Sequence, residues 1–256
     1  MSSAHSINGQ RTESLPRVTI VIPSYEEERF ILRLLDQFPS ALRCRLGIEI
    51  VVSDGGSTDG TVALAKTRAD RVVEWNGPTP QNISIGRNRG ADHAQGDVLI
   101  FLNADVHLDD AQRFITQMVS AVEDEHIAAA TCNVLVNREE ETLADKLFHR
   151  CFNSYCRMLN AVGMGMGRGE CHVVRKSMFL RVGGYSESIP AGEDYEFFLR
   201  LRRLGAIRFV SSQTVYESPR RYRSYGYLRI SLLWFVNALS VLIFHRSLSK
   251  QWTPVR

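Results

Sequence analysis

The sequence predicts an α/β fold in which a mostly parallel central sheet is flanked by helices and followed by a C-terminal amphipathic helix. Three observations carry this. Short β-branched runs alternate with helix-spaced segments through the first hundred residues, the order that βαβ units require. Polar loops follow directly on three of those runs, which gathers them at the carboxyl edge, where open α/β sheets bind ligands. The 256 residues are 44% apolar and 23% charged, a balance that suits one large soluble domain and excludes a disordered or collagen-like chain.

Residues 1–16 are polar, with no apolar core of signal-peptide length, and read as a disordered leader on a chain that is not exported. Residues 18–22 form a buried strand stopped by Pro23, and Phe30, Ile31, Leu34, Leu35 and Phe38 space a helix over 26–38. A second strand at 48–52 breaks at Ser53-Asp54-Gly55-Gly56-Ser57-Thr58-Asp59-Gly60, and a helix runs over 61–69. A short strand at 71–74, a helix at 82–94 and a strand at 98–102 follow, the last ending in Asn103-Ala104-Asp105. Beyond Ala111 lie a helix, a strand at 128–136 and a helix at 139–159. Gly163, Gly165, Gly167 and Gly169 alternate in a loop that reads as non-rigid. A strand at 171–175, a helical turn at 176–182 and a helix at 193–204 ended by Gly205 complete the body.

Cys44, Cys132, Cys151, Cys156 and Cys171 form an odd set without a CxxC pair, which argues against a disulfide scaffold or thiolate zinc site and fits a reducing cytoplasm. The net charge of +3 hides an asymmetry. From Ser218 onward there are seven Lys/Arg and no Asp/Glu, so a mildly acidic body carries a basic, apolar tail suited to an anionic surface.

Three acidic positions can carry chemistry. Asp54, after a buried strand and before two glycines, either forms a turn that caps the next helix or faces a ligand; Asp59 or Thr58 suits the capping role better and frees Asp54. Asp105 is either a helix N-cap or the single carboxylate that, with substrate phosphates, holds Mg²⁺ or Mn²⁺, with His107 as a further nitrogen donor. Glu193-Asp194 either caps a helix or supplies a general base. Arg87 and the cluster Arg220-Arg221-Tyr222-Arg223 can grip phosphate or, for the cluster, lipid headgroups; each can equally be a solvated face.

Together these residues resemble the family 2 glycosyltransferases of the GT-A fold, over residues 17–222. The resemblance rests on Ile22-Pro23-Ser24-Tyr25-Glu26-Glu27, Val52-Ser53-Asp54-Gly55-Gly56-Ser57-Thr58-Asp59-Gly60-Thr61, Gly86-Arg87-Asn88-Arg89-Gly90, Leu102-Asn103-Ala104-Asp105, Gly183-Gly184-Tyr185 and Glu193-Asp194. Ser218-Pro219-Arg220-Arg221 also looks like the tail of a subgroup of small bacterial members. The resemblance implies a nucleotide-sugar half at 17–110 and an acceptor half at 111–222. Pro23, Tyr25, Glu26, Glu27, Asp54, Gly55, Arg87 and Asn103 would bind the donor, with uridine the family's customary base. Asp105 would hold Mg²⁺ or Mn²⁺ on the diphosphate, and Asp194 would deprotonate an acceptor hydroxyl, inverting the anomeric carbon. Glu193, Arg220 and Arg221 would meet phosphate or acceptor. Two departures stand out: the usual Asp-x-Asp reads Asn103-Ala104-Asp105, and Glu26 replaces the customary Asn after the tyrosine.

The tail at 223–256 contains a 15-residue apolar run at 230–244, short of the roughly 20 residues that span a bilayer. Flanked by Arg229 and His245-Arg246, with Tyr222, Tyr225, Tyr227, Trp234 and Trp252 as interfacial aromatics, it reads first as a helix lying in a membrane surface. A core or homodimer helix and a short true span are the other readings. The expectation is therefore an inverting glycosyltransferase, cytoplasmic and peripheral at the inner face of the plasma membrane, with a hydroxyl acceptor that is membrane-adjacent or lipid-linked. Nucleic acid is not expected as a partner, since that role needs less apolar surface than the tail presents. Two other classes compete. A nucleotidyltransferase would want a Gly-rich loop with Lys near the first strand, and residues 23–29 hold neither. A non-catalytic nucleotide-sugar or membrane-binding module would bind donor without turnover. A dinucleotide-binding dehydrogenase is disfavoured because 55–60 does not spell G-x-G-x-x-G.

Overall fold

The computed structural model describes residues 18–78, 81–244 and 247. The predicted leader, His245, Arg246 and Trp252 lie outside the described residues. Strands β1 (Val18–Ser24), β2 (Ile48–Asp54), β3 (Arg71–Glu74), β4 (Val98–Leu102), β5 (Ile127–Val136), β6 (Cys171–Arg175) and β7 (Ala206–Glu217) form one sheet of order β3-β2-β1-β4-β6-β5-β7. Only β6 runs antiparallel to its neighbours, β4 and β5; every other pair is parallel. The mostly parallel sheet expected from the alternating pattern is present.

Helices cover both faces. On one side α1 (Ile31–Leu35), α2 (Ser40–Leu46), α3 (Thr61–Lys66) and, at its far end, α5 (Ala111–Ser120) bury Leu34, Leu35, Phe114 and Met118 against Ile20, Ile50 and Ile100. On the other, α4 (Ile83–Asp92), α7 (Lys176–Arg181) and α8 (Glu193–Arg202) close over Phe101, where Phe179, Tyr185, Phe197 and Phe198 pack ring on ring. The remaining helices, α6 (Leu143–Ala161), α9 (Arg220–Tyr225) and α10 (Tyr227–Phe244), lie against the β5–β7 side and the start of α8. Among the described residues no helix is long and apolar enough to cross a membrane.

Several boundaries differ from the sequence reading. Pro23 does not stop β1, which pairs with β2 through Ser24. Its pairing with β4 has already ended at Val21, so the missing proline N–H interrupts no ladder there. The helix expected over 26–38 shrinks to Ile31–Leu35, because Glu26 takes a left-handed backbone (φ 57°) and residues 28–30 turn. Neither α2 nor β7 was anticipated. The glycine loop is pinned rather than loose: Asn160 accepts from the Met166 N–H (2.6 Å) and donates to its carbonyl (2.9 Å). Its glycines allow close approach to α8, for a Cβ on Gly167 would stand 2.3 Å from the Phe198 ring. Gly167→Ala is expected to cost about 1–3 kcal/mol in chemical denaturation, since the ring is fully buried and cannot yield freely.

Candidate functional site

The loop after β2 is built around Asp54. One carboxylate oxygen accepts from the backbone N–H of Gly56 (2.9 Å) and Ser57 (2.8 Å); the other accepts from the hydroxyls of Ser57 (2.6 Å) and Ser24 (3.2 Å). Asp59, one residue before the Gly60 N-cap of α3, accepts the Thr61 N–H at 2.9 Å. Asp54 is nevertheless not freed: it is buried and organises the turn, because a carboxylate surrounded by unpaired N–H groups satisfies them at short range. Glu26 holds the other side of this loop, accepting from the Thr58 N–H (2.9 Å) and hydroxyl (2.8 Å), while its own N–H donates to Ser57 Oγ (2.7 Å). Gly55 is tightly surrounded, since a Cβ there would meet the Ser24 carbonyl and Gln81 at 3.2 Å and Tyr25 at 3.4 Å. Pro23 lies beside Gly86 of α4, whose missing Cβ would stand 3.4 Å away. Glu26, Asp54 and Gly55 thus shape one rim of the edge that the sequence marked, and Pro23 and Tyr25 adjoin it.

Arg87 is the hub of the opposite rim. Fully buried on α4, it donates from Nη1 to Glu193 Oε1 (2.8 Å) and from Nη2 to the Gly169 carbonyl (2.7 Å), with Asn103 Oδ1 at 3.4 Å. The Tyr185 ring stacks 5.1 Å from its guanidinium. This fork ties the start of α8 to the end of β4 and to the glycine loop. Glu193 is the group that meets Arg87, and its neighbour Asp194 is partly accessible, with Oδ1 accepting only its own helix's Tyr195 N–H (2.8 Å) among described bonds. Burial and then the adjacent Glu193 push the Asp194 carboxyl up to about 7, against the pull of Arg87. A carboxylate that titrates near neutrality can take a proton from a hydroxyl and release it.

At the end of β4, Asp105 is not the N-cap of α5; Asp110 is, accepting from the Arg113 N–H at 2.9 Å. Asp105 instead faces Arg220, whose Nη2 lies 3.2 Å from Asp105 Oδ2 and 2.5 Å from Glu27 Oε1. Burial is the largest influence on Asp105 and raises its carboxyl above the usual range, while Arg220 pulls it down. Arg221 lies in the same field, its guanidinium lowered by burial and raised by Asp105 and Glu217. Arg223 turns away to pair with buried Asp145 of α6 at 2.5 Å. His107 is tied by its backbone to Tyr216 in a two-residue bridge (2.8 and 2.9 Å).

Sequence reasoning missed a second buried polar group alongside. Arg168, in the glycine loop, donates to Glu217 Oε1 (2.7 Å) and lies 3.4 Å from Glu170; its Nη1 meets His149 Nδ1 at 3.1 Å. Tyr222 donates to the same Glu217 oxygen at 2.7 Å. Burial drives His149 down to about 3, so it stays neutral and accepts from Arg168. The signal available was Arg168-Gly169-Glu170, two opposite charges in a glycine-rich stretch leading into a buried strand. Glu170 acts electrostatically on both Asp105 and Asp194, so this group sits behind both.

A family model described as glycosyl transferase family 2 matches residues 19–183, well over half of the chain. The chain belongs to glycosyl transferase family 2. The matched span holds Glu26, Asp54, Arg87, Asn103 and Asp105 and ends before Asp194. Among curated relatives, succinoglycan biosynthesis protein ExoA of Rhizobium meliloti is 28% identical over 201 residues, which cover 76% of this chain and 61% of that protein. An undecaprenyl-phosphate 4-deoxy-4-formamido-L-arabinose transferase of Yersinia pestis is 29% identical over 174 residues, 62% of this chain and 48% of its own length. The chain thus spans less than two thirds of either. Among solved structures, a mannosyltransferase from Pyrobaculum calidifontis, in complex with GDP-mannose and Mn²⁺, superposes with a TM-score of 0.63 at 19% identity, covering 80% of this chain and 58% of that one. Glucosyl-3-phosphoglycerate synthase from Mycobacterium tuberculosis, with Mn²⁺ and UDP, gives 0.58 at 20% identity, covering 89% and 79%. These share the GT-A fold.

For a family 2 chain the question is whether the residues here suit a divalent ion. Two carboxylates, Asp105 and Glu27, converge on one positively charged atom, Arg220 Nη2. Among the described residues no three His, Cys, Asp or Glu side chains gather as a complete ligand cage. Mg²⁺ and Mn²⁺ need no such cage when substrate phosphates supply the other oxygens. The donor set fits, on condition that Arg220 moves off Asp105.

Proposed function

We propose that the protein transfers a sugar, with inversion, from a nucleotide-sugar, a UDP-sugar by preference, to the hydroxyl of a lipid-linked acceptor at the inner face of the plasma membrane. The observation that carries this is Asp194, a carboxyl lifted to about 7 at the point where Arg87 joins α8 to the end of β4. Asp194 accepts the acceptor's proton as its oxygen attacks the anomeric carbon, and the bond from that carbon to the diphosphate breaks, its electron pair leaving with the diphosphate. Arg87 holds Glu193 and so keeps the base oriented; Glu193, already paired, takes no part as a second carboxylate. Asp105, with Glu27 beside it, would hold Mg²⁺ or Mn²⁺, which supplies charge neutralisation to the leaving diphosphate without proton transfer. Arg220 and Arg221 present further positive charge to the same oxygens. The base and ribose are assigned to the rim of Pro23, Tyr25, Glu26, Asp54, Gly55 and Asn103.

Calorimetric titration with UDP, GDP and CDP tests the donor half of this reading. One of the three is expected to bind more tightly with Mn²⁺ or Mg²⁺ than with chelator. Asp105→Ala is expected to remove that metal enhancement. Arg220→Ala is expected to increase it, because Asp105 then has no internal counter-ion to give up. Affinity that chelator leaves unchanged in all three proteins overturns the metal assignment, and no binding of any nucleotide overturns the donor site.

A further inference from the structure

Two helices of this molecule are packed inside out. On α6 the inward residues are Asp145, His149, Asn153, Cys156 and Leu159, mostly polar, while an outward stripe holds Leu143, Leu147, Tyr155 and Met158 at helical spacing, continued by Val162 at its C-cap. Leu143 is 83% exposed, and Leu147 and Val162 are each 66% exposed. On α10 the side turned to the protein includes buried Asn237 and Ser240 beside Ile230 and Val241. Its outward side carries Leu228 (86% exposed), Leu232, Leu233, Phe235 (64%) and Leu239. A helix on a water-soluble surface places these residue types the other way round.

The two helices are neighbours. Phe148 and Phe152 of α6 pack, tilted, against Tyr227 and Trp234 of α10, with ring centroids 4.5 Å apart for Phe148–Tyr227 and 5.5 Å for Phe152–Trp234. Their outward apolar residues therefore belong to one side of the molecule. Cations border it. Arg150 and Arg157 of α6, with Lys146 paired to Glu141 at 3.3 Å, line a cavity of about 430 Å³ against β5, and Arg229 is exposed on α10. The one acidic side chain within the two helices, Asp145, is buried and paired with Arg223.

We infer that α6 and α10 together form a docking face for an anionic lipid bilayer, so that membrane attachment is a property of the folded body and not of the C-terminal tail alone. Apolar residues inserted at headgroup depth, with Lys and Arg beside them, are the chemistry of interfacial helices. A second copy of the chain is a poorer occupant, since a symmetric pairing would set Arg150, Arg157 and Arg229 against their own copies. The inward side of α10, behind this face, reaches the start of α8. Val241 and Asn237 pack on Gly192, two residues before Asp194, at 3.6 and 4.0 Å from where its Cβ would stand. Given the reading of Asp194 above, a lipid-anchored acceptor docked on this face meets the base from the membrane side.

Flotation of the full chain with vesicles tests this. Native protein is expected to float with phosphatidylethanolamine–phosphatidylglycerol vesicles and far less with phosphatidylcholine alone. The α6 pair Leu147→Glu/Met158→Glu and the α10 pair Leu232→Glu/Phe235→Glu are each expected to weaken vesicle binding by about tenfold or more, with nucleotide affinity and melting temperature unchanged. All four positions are partly or largely exposed, so folding survives the substitutions. Native-like flotation of the α6 pair, with loss only in the α10 pair, overturns the two-helix face and leaves the transferase reading standing. A native protein that floats with neither vesicle but forms a dimer that the α6 pair dissociates overturns it in favour of a second copy. A native protein that floats yet binds no nucleotide supports the face and overturns the donor site on which the transferase reading rests.

Discussion

Asp194→Asn is expected to abolish sugar transfer while nucleotide binding survives. The side chain keeps its size and place on α8, but an amide cannot take the acceptor's proton. Loss of binding together with transfer would mean that Asp194 is structural. The same group sets two pH dependences. Because its folded value lies near 7, transfer by the native protein at low substrate is expected to rise with pH through about 7 as the base becomes free. Stability moves the opposite way. A carboxyl whose folded value is raised above that of the unfolded chain favours the folded state in its protonated form. That contribution is complete below about 4, where the unfolded group is also protonated, and is lost as pH rises through about 7. The native protein is therefore expected to lose melting temperature between pH 4 and 7 relative to Asp194→Asn. Parallel melting curves of the two proteins across that window would show that Asp194 is not held up by its surroundings.

The largest expected loss of stability is at Arg87. Its guanidinium is 0% exposed and meets Glu193, Gly169 and the Tyr185 ring at once. Arg87→Met fills much of the volume but leaves Glu193 buried without its cation, and removing one partner of such a pair costs about 3–5 kcal/mol. For a chain of this size that is a fall in melting temperature of roughly 10 °C. Asp194 feels the same change, since Arg87 is what restrains its rise. Its titration should therefore move further up, and the pH at which any remaining transfer appears should rise with it. Arg87→Lys keeps the charge but cannot reach Glu193 and the Gly169 carbonyl with one planar fork, so an intermediate loss is expected. A melting temperature unchanged in Arg87→Met would contradict the role given to this pair.

Much of this was legible in the residues. The alternation of β-branched runs and helical spacing located β2, β3, β4 and β6 to within a residue or two; β4 is the clearest case, because a strand buried along its whole length must be apolar throughout. The acidic positions at the carboxyl edge were legible for the same reason: a polar side chain directly after such a run is forced to the sheet's rim. Pairings between distant segments were not. Nothing local in Arg220 announces that it reaches Glu27, 193 residues earlier, or that Arg168 threads between Glu170, Glu217 and His149. The part Asp54 plays in holding its own loop was not legible, because the N–H groups of Gly56 and Ser57 turn towards it only once the turn is closed. The 15-residue run at 230–244 was legible as an apolar helix, yet the packing of α6 beside it was not, since the spacing of α6 predicts a helix without saying which side faces out.

The most direct test of single displacement by Asp194 is the configuration of the sugar released from an α-linked nucleotide-sugar that the protein binds. In the absence of acceptor, water takes the acceptor's place, and proton NMR in the first minutes reads the anomer before mutarotation mixes it. One base acting on one nucleophile requires inversion, so the β-anomer is the expected first product, absent in Asp194→Asn. Initial release of the α-anomer would contradict the account, because retention requires either attack on the face the diphosphate leaves or a second carboxylate as nucleophile, and Glu193 is paired with Arg87.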